Sequence, residues 1–234
     1  MPKVNQRQVG CLVGAAVADA AARPLHWVYD IPVLNSYIKT DPDHPEFWPE
    51  SKSPFYSLPT GDNSCYWDQA QATMTAMDKS KAFNFENICQ EFVTQFGPSS
   101  QYNMEKRQEY MQRRMYGLEL TPIEDKWLHG GMIKFLENFS QGNTVGDAHV
   151  KETDGFCCSL PLVVRYAGDD KLMEMVTQVT KTQSTWPVAV THAIFSAKII
   201  EAFILEKQDP IDQATNEVSG EFPKIAAEME VVKS

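Results

Sequence analysis

The sequence predicts an all-α protein, and three observations carry that reading. Apolar residues recur at three- and four-residue spacing in several segments. Those segments open and close on helix caps. No run alternates apolar with polar residues ahead of a hairpin turn. The 234 residues suffice for a sizeable core, and no linker or internal repeat divides them, so one domain is expected over 1–234.

The first helix is read over residues 9–22, VGCLVGAAVADAAA. It follows Lys3 and Arg7 and ends in small residues, as a secretory leader does. Asp19 breaks its apolar part, however, and the helical pattern continues past any cleavage point, so the segment is read as part of the fold. Residues 40–63 contain Pro42, Pro45, Pro49, Pro54 and Pro59 and cannot be helix. A helix then grows out of GDNSCYWDQAQAT, residues 61–73. Asn84 caps FENICQEFVTQF, whose Phe85, Ile88, Cys89, Phe92 and Phe96 share a face, and Gly97-Pro98 stops it. Thr121-Pro122-Ile123-Glu124 reads as a capping box with proline at the first helical position, opening a helix to about Asn138 with a stop near Gly142.

Residues 141–155 form a second irregular stretch, of the length that tends to be functional or mobile. Asp169 or Asp170 starts a helix with Leu172, Met175, Val176 and Val179 on one face. Pro187 opens PVAVTHAIFSAKIIEAFILEK, apolar nearly all round and expected to be a central, buried helix. Asp209-Pro210 starts another, reaching about Val218, and the tail AEMEVVKS carries no stop signal, which leaves a helix open there.

The charge balance removes several function classes. A formal charge of −10 and an isoelectric point near 5.0 leave no basic surplus to neutralise phosphates, so no nucleic-acid partner is expected, and an anionic membrane surface is disfavoured. No stretch approaches the length of a membrane span on this reading. The five cysteines, without a CxxC pair, are expected as free thiols in the cytoplasm.

Candidate functional residues fall in three places. Asp19 lies in a small-residue helix that permits close approach of a neighbour. It needs a donor or a cation there, supplied by a metal or, equally, by backbone amides or Arg23. Asp62, Asn63 and Asp68 offer hard oxygens suited to magnesium or calcium, although the loop lacks the EF-hand glycine and glutamate. Asp68 also suits the positive end of a helix dipole. Asp154, Gly155 and Phe156 precede a helix whose amides face outward, and glycine there permits close backbone approach to a ligand or an ordinary turn. No HxxxH pair, nucleophile elbow or phosphate-binding glycine loop appears.

Three segments in order, VGCLVGAAVADAAARPLHWVYD, GDNSCYWDQAQAT and TDGFCCSLPLVVRYAG, together with KWLHGGMIKFLENF, resemble the ADP-ribosylglycohydrolase family, in the branch holding J1-type crystallins and selenoprotein J. The resemblance implies a multi-helix orthogonal bundle around a cleft, in which active relatives hold two magnesium ions and hydrolyse a bond to ADP-ribose. Asp19 stands at the aspartate of the family's first helix. Tyr66-Trp67-Asp68-Gln69 stands where active members carry Thr-Asp-Asp-Thr, so only Asp68 matches. Gly155 fits the loop that cradles the ribose and adenosine, with Asp154 in place of asparagine and Phe156 beside it. The Asp-x-Asp-Thr run that the family carries towards its C-terminus is absent, so the bundle is expected to lack its C-terminal part. Asp68 is therefore the implied catalytic carboxylate, with Asp68, Asp62 and Asp19 as magnesium ligands and ADP-ribose or an ADP-ribosylated substrate as partner. The alternative is a non-catalytic, crystallin-like protein or nucleotide binder on the same fold.

Overall fold

The computed structural model describes residues 5–102, 104–220 and Pro223. Those residues form α1 (Gln6–Ala22), a short 3-10 turn (Arg23–Leu25), α2 (Ile31–Ile38), α3 (Cys65–Ser80), α4 (Phe85–Phe96), α5 (Met104–Met115), α6 (Gly130–Ser140), α7 (Phe156–Tyr166), α8 (Leu172–Thr180), α9 (Pro187–Ile204) and α10 (Pro210–Ser219). No strand occurs among the described residues. One isolated parallel bridge joins Tyr56 to Ile123. The tail AEMEVVKS lies outside the described residues.

The described residues group into two compact units, each discontinuous in sequence, which is why no linker marks them. One takes the chain up to Leu12, Gln69–Phe92 and the chain from Gly130 on; the other takes Val13–Asp68 and Val93–His129.

In the first unit α9 packs against α7, α8 and α10, and α7 against α8. Ala189, Ala193 and Ala197 recur every fourth residue on α9 and are fully buried, a small-residue face that lets neighbouring backbones approach. Phe195 and Ile199 pack on Ala214 and Val218 of α10. Leu172, Met175, Val176 and Val179 are buried on α8, as the spacing predicts. The Thr73 hydroxyl donates to the Cys158 carbonyl (2.7 Å), and Phe92 meets Phe135 edge to face at 5.7 Å. Caps set helix starts: Asn5 and Gln8 bond reciprocally at the head of α1 (2.7 and 2.8 Å), and Asn84 Oδ1 accepts from the Asn87 amide at the head of α4 (3.0 Å).

Two expectations for α9 need correction. It is apolar nearly all round but not buried all round, because Val188 and Phe203 stay exposed. Among the described residues it is also long and apolar enough to cross a membrane by length and composition, which the sequence reading had not recognised. Here it serves as the shared helix of a packed core.

The second unit is built around aromatic rings. Tyr56, Tyr110, Ile123 and Trp127 are buried together, with Trp27, Phe55 and Leu58 packed on them. This cluster explains the largest departure from the sequence reading. The capping box at Thr121 opens no helix: 118–129 is extended or turning, and α6 starts only at Gly130. Ile123 instead donates its amide to the Phe55 carbonyl (3.0 Å) and accepts from the Ser57 amide (2.8 Å). Burial of Ile123 and Trp127 among aromatic rings outweighs a local cap, which contributes only about 1 kcal/mol.

Two helices carried no readable pattern. In α2, Asp30 caps the start by accepting from the Val33 amide (3.0 Å), yet the helix buries no residue. In α5 the only buried side chain is Tyr110, so apolar periodicity is lacking.

Candidate functional site

The head of α3 is where the second unit concentrates its polar groups. Ser64 precedes the first turn. Its hydroxyl accepts from the Tyr66 amide (3.1 Å), and its carbonyl accepts from the Asp68 amide (3.2 Å). Behind it sits Asp19 from the second half of α1. Asp19 Oδ2 accepts from the Ser64 amide (2.7 Å) and the Asn63 side-chain amide (3.0 Å), and Oδ1 accepts from the Ser64 hydroxyl (2.6 Å). Asn63 also donates to the Ala16 carbonyl (2.8 Å). Asp19 thus reinforces the cap of α3, where a negative charge is favoured by the unbonded amides of the first turn. Of the two donors the sequence allowed, backbone and side-chain amides win over Arg23.

Arg23 is buried (1% exposed) and turned elsewhere. It donates from Nε to the Asp62 carbonyl (2.9 Å) and from Nη2 to the carbonyls of Leu58 (3.0 Å) and Pro59 (2.7 Å). A single guanidinium therefore fixes the proline-rich loop that delivers Ser64 to α3. Asp62 contributes its backbone to this clamp and is itself exposed.

Asp68 sits in the first turn of α3 and is 6% exposed. Two donors converge on one of its oxygens, Oδ2: the ammonium of Lys126 and the Tyr102 hydroxyl (2.6 Å). The Lys126 side chain is 19% exposed, and its ammonium lies 5.8 Å from the centre of the Tyr102 ring. Burial first, and the neighbouring Asp68 charge second, push the Tyr102 hydroxyl far above its ordinary value, so it stays a proton donor to the carboxylate. Sequence reasoning found the acid but missed both partners. One signal was present: Lys126 opens KWLHGGMIKFLENF, the stretch that contributed to the family resemblance.

Tyr66, two residues before Asp68, has contacts of its own. Tyr66 stacks edge-on against His26 (5.4 Å between centroids) and Trp27 (6.4 Å), and lies 5.5 Å from the His129 ring. His26 Nδ1 lies 2.9 Å from the Tyr56 hydroxyl. Burial lowers His26 from its ordinary value near 6.5 to about 4, outweighing the pull of Asp19, so the imidazole is neutral at pH 7. Burial likewise raises Tyr56 well above its usual range.

Asp154, Gly155 and Phe156 belong to the first unit and stand at the start of α7. Asp154 and Phe156 are half-buried, and Asp154 accepts from the Cys157 amide (2.8 Å) through its carbonyl. A Cβ at Gly155 would lie 3.1 Å from Thr180 Cγ2 and 3.4 Å from Gln183 Cβ. Its missing side chain makes room for the end of α8, so packing within the unit already accounts for this glycine.

The carboxylates of the second unit do not fit a divalent ion. Magnesium requires several oxygens converging in near-octahedral geometry. The ligand atoms of Asp19, Asp62 and Asp68 do not all lie within 4.8 Å of one another. Asp19 has both oxygens engaged by neutral donors, and Asp68 is already matched by a lysine ammonium.

The second unit thus places a buried acid, Asp68, at the head of α3 and a second acid, Asp19 of α1, behind the same helix start. The ADP-ribosylglycohydrolase profile matches residues 1–233, and the chain belongs to that family, one of metal-dependent hydrolases acting on ADP-ribosylated substrates. It is similar to Crystallin J1A of Tripedalia cystophora, 28% identical over 223 residues, and to Crystallin J1B of the same animal, 28% identical over 221 residues. Each alignment covers 94% of this chain and 65% of the crystallin, so the chain spans less than two thirds of the length of these relatives.

Proposed function

We propose that this chain recognises an ADP-ribosyl group and acts as an ADP-ribosylglycohydrolase, cleaving the bond between the anomeric carbon of ribose and a nitrogen or oxygen. The observation that carries the reading is the family match along the whole chain. Asp68 at the head of α3 supports it, as the one residue of the Tyr66–Gln69 run that retains the family's acid. Water supplies the new C1–O bond, and a proton passes to the leaving group. Asp68, bonded through Oδ2 to Lys126 and Tyr102, presents Oδ1 as acceptor for a ribose hydroxyl or the attacking water. In this family magnesium would polarise those oxygens; the acids of the second unit by themselves do not fit it, and no step in this reading passes through it.

One observation favours a second reading, a non-catalytic, crystallin-like protein: the same Lys126 contact that holds Asp68 also occupies it. Calorimetry separates the two. Titration of magnesium and then ADP-ribose into wild type and Asp68→Asn should give ADP-ribose heat in wild type that is lost in the variant, and an ADP-ribosylated peptide should release ADP-ribose. Silence towards ADP-ribose in both proteins supports the crystallin-like reading.

A further inference from the structure

We propose that the ammonium of Lys126 is a built-in cation that takes the place of a divalent metal ion at Asp68, so that this acid is neutralised by the chain itself. The geometry points there on four grounds. First, Lys126 and Tyr102 both donate to Asp68 Oδ2, so the carboxylate already holds a cation. Second, the corner is shielded, with Asp68 almost fully buried, so a dication would meet the ammonium with little water between them. Third, no second acid among the described residues groups with Asp68 to offset such a dication: the adjacent residue is Trp67, Asp19 is engaged by Ser64 and Asn63, and Asp62 is exposed.

Fourth, the lysine is held in place. Its backbone amide donates to Asp125 Oδ1 (2.9 Å), Asp125 Oδ2 pairs with Lys106 (3.3 Å), and the neighbouring Trp127 is locked in the aromatic cluster. A tethered monocation cannot coordinate six oxygens as magnesium does, but it holds one carboxylate in place without depending on metal supply. The inference concerns the Asp68 corner alone and stands whether the protein hydrolyses ADP-ribosyl bonds or is crystallin-like.

The test uses manganese as a paramagnetic probe, with the full-length chain and no nucleotide. Free manganese is followed by electron paramagnetic resonance in wild type, Asp68→Asn, Lys126→Ala and the double variant. The expected result is that Asp68→Asn leaves manganese binding unchanged from wild type. Lys126→Ala should then gain a weak Asp68-dependent site that wild type lacks, and the double variant should lose it. Should Lys126→Ala fail to fold, Lys126→Gln, which keeps the length of the side chain without its charge, replaces it. Asp68-dependent manganese binding in wild type overturns the proposal, as does a folded Lys126 variant that gains no site.

Discussion

Asp19 of α1 and Asp68 of α3 lie in the same unit, both beside the N-terminal end of α3, and both are held by hydrogen bonds, yet they are held by different chemistry. Asp19 is met by an amide, a hydroxyl and a carboxamide, all neutral, and it completes the cap of α3. Asp68 is met by an ammonium and a buried phenol. The first arrangement is what a structural acid requires, because dipoles satisfy both oxygens and leave the charge delocalised over a helix terminus. The second leaves a charge balanced by another charge, with both donors on the same oxygen. Which donors reach a carboxylate, and not its burial, separates the two.

Breaking the charge pair should show the largest effect. Lys126→Met leaves Asp68 buried without its cation, and is expected to reduce unfolding free energy by about 3–5 kcal/mol in urea titrations. Removing the neutral cap should cost less. Asp19→Ala abandons three donors, and a loss of about 2–3 kcal/mol is expected in the same titration. A value for Asp19→Ala above that for Lys126→Met would reverse the ranking of the two acids.

Acidity sharpens the contrast from a third side. The folded protein holds His26 at about 4, against 6.5 in the unfolded chain. Between those values the unfolded state binds more protons, so stability is complete above pH 6.5 and is lost as pH falls towards 4. A slope of up to about 1.4 kcal/mol per pH unit is expected from this group across that window, flattened in His26→Gln. An unchanged slope in the variant would show that His26 is not held neutral beside Tyr56. Smallest of all, Tyr102→Phe removes one hydroxyl while the ammonium remains on Oδ2, and should cost about 1–2 kcal/mol.

The sequence revealed the acids but not their partners, for a definable reason. Caps and apolar spacing act within a few residues, so α4, α8 and α10 were legible, and so was the absence of helix across the five prolines of 40–63. Asp19, Asp62 and Asp68 were legible as oxygen donors by residue type. The Asp68 partners lie 34 and 58 residues away and reach it only through tertiary packing. The misread at Thr121 and the missed cation have one origin: Ile123 leaves a locally favoured helix to bridge Tyr56, and the extended segment that results carries Lys126. α5 carried no readable pattern because it buries a single residue, and Gly155, which the sequence leaves open between a ligand approach and an ordinary turn, packs against Thr180 and Gln183.

The account rests on the Asp68–Lys126 pair, and a double-mutant cycle measures it directly. Unfolding free energies of wild type, Asp68→Asn, Lys126→Met and the double variant give the coupling between the two charges. A favourable coupling of about 2 kcal/mol or more, with the double variant more stable than Lys126→Met alone, is the predicted result. Additive single effects, with coupling near zero, would contradict it.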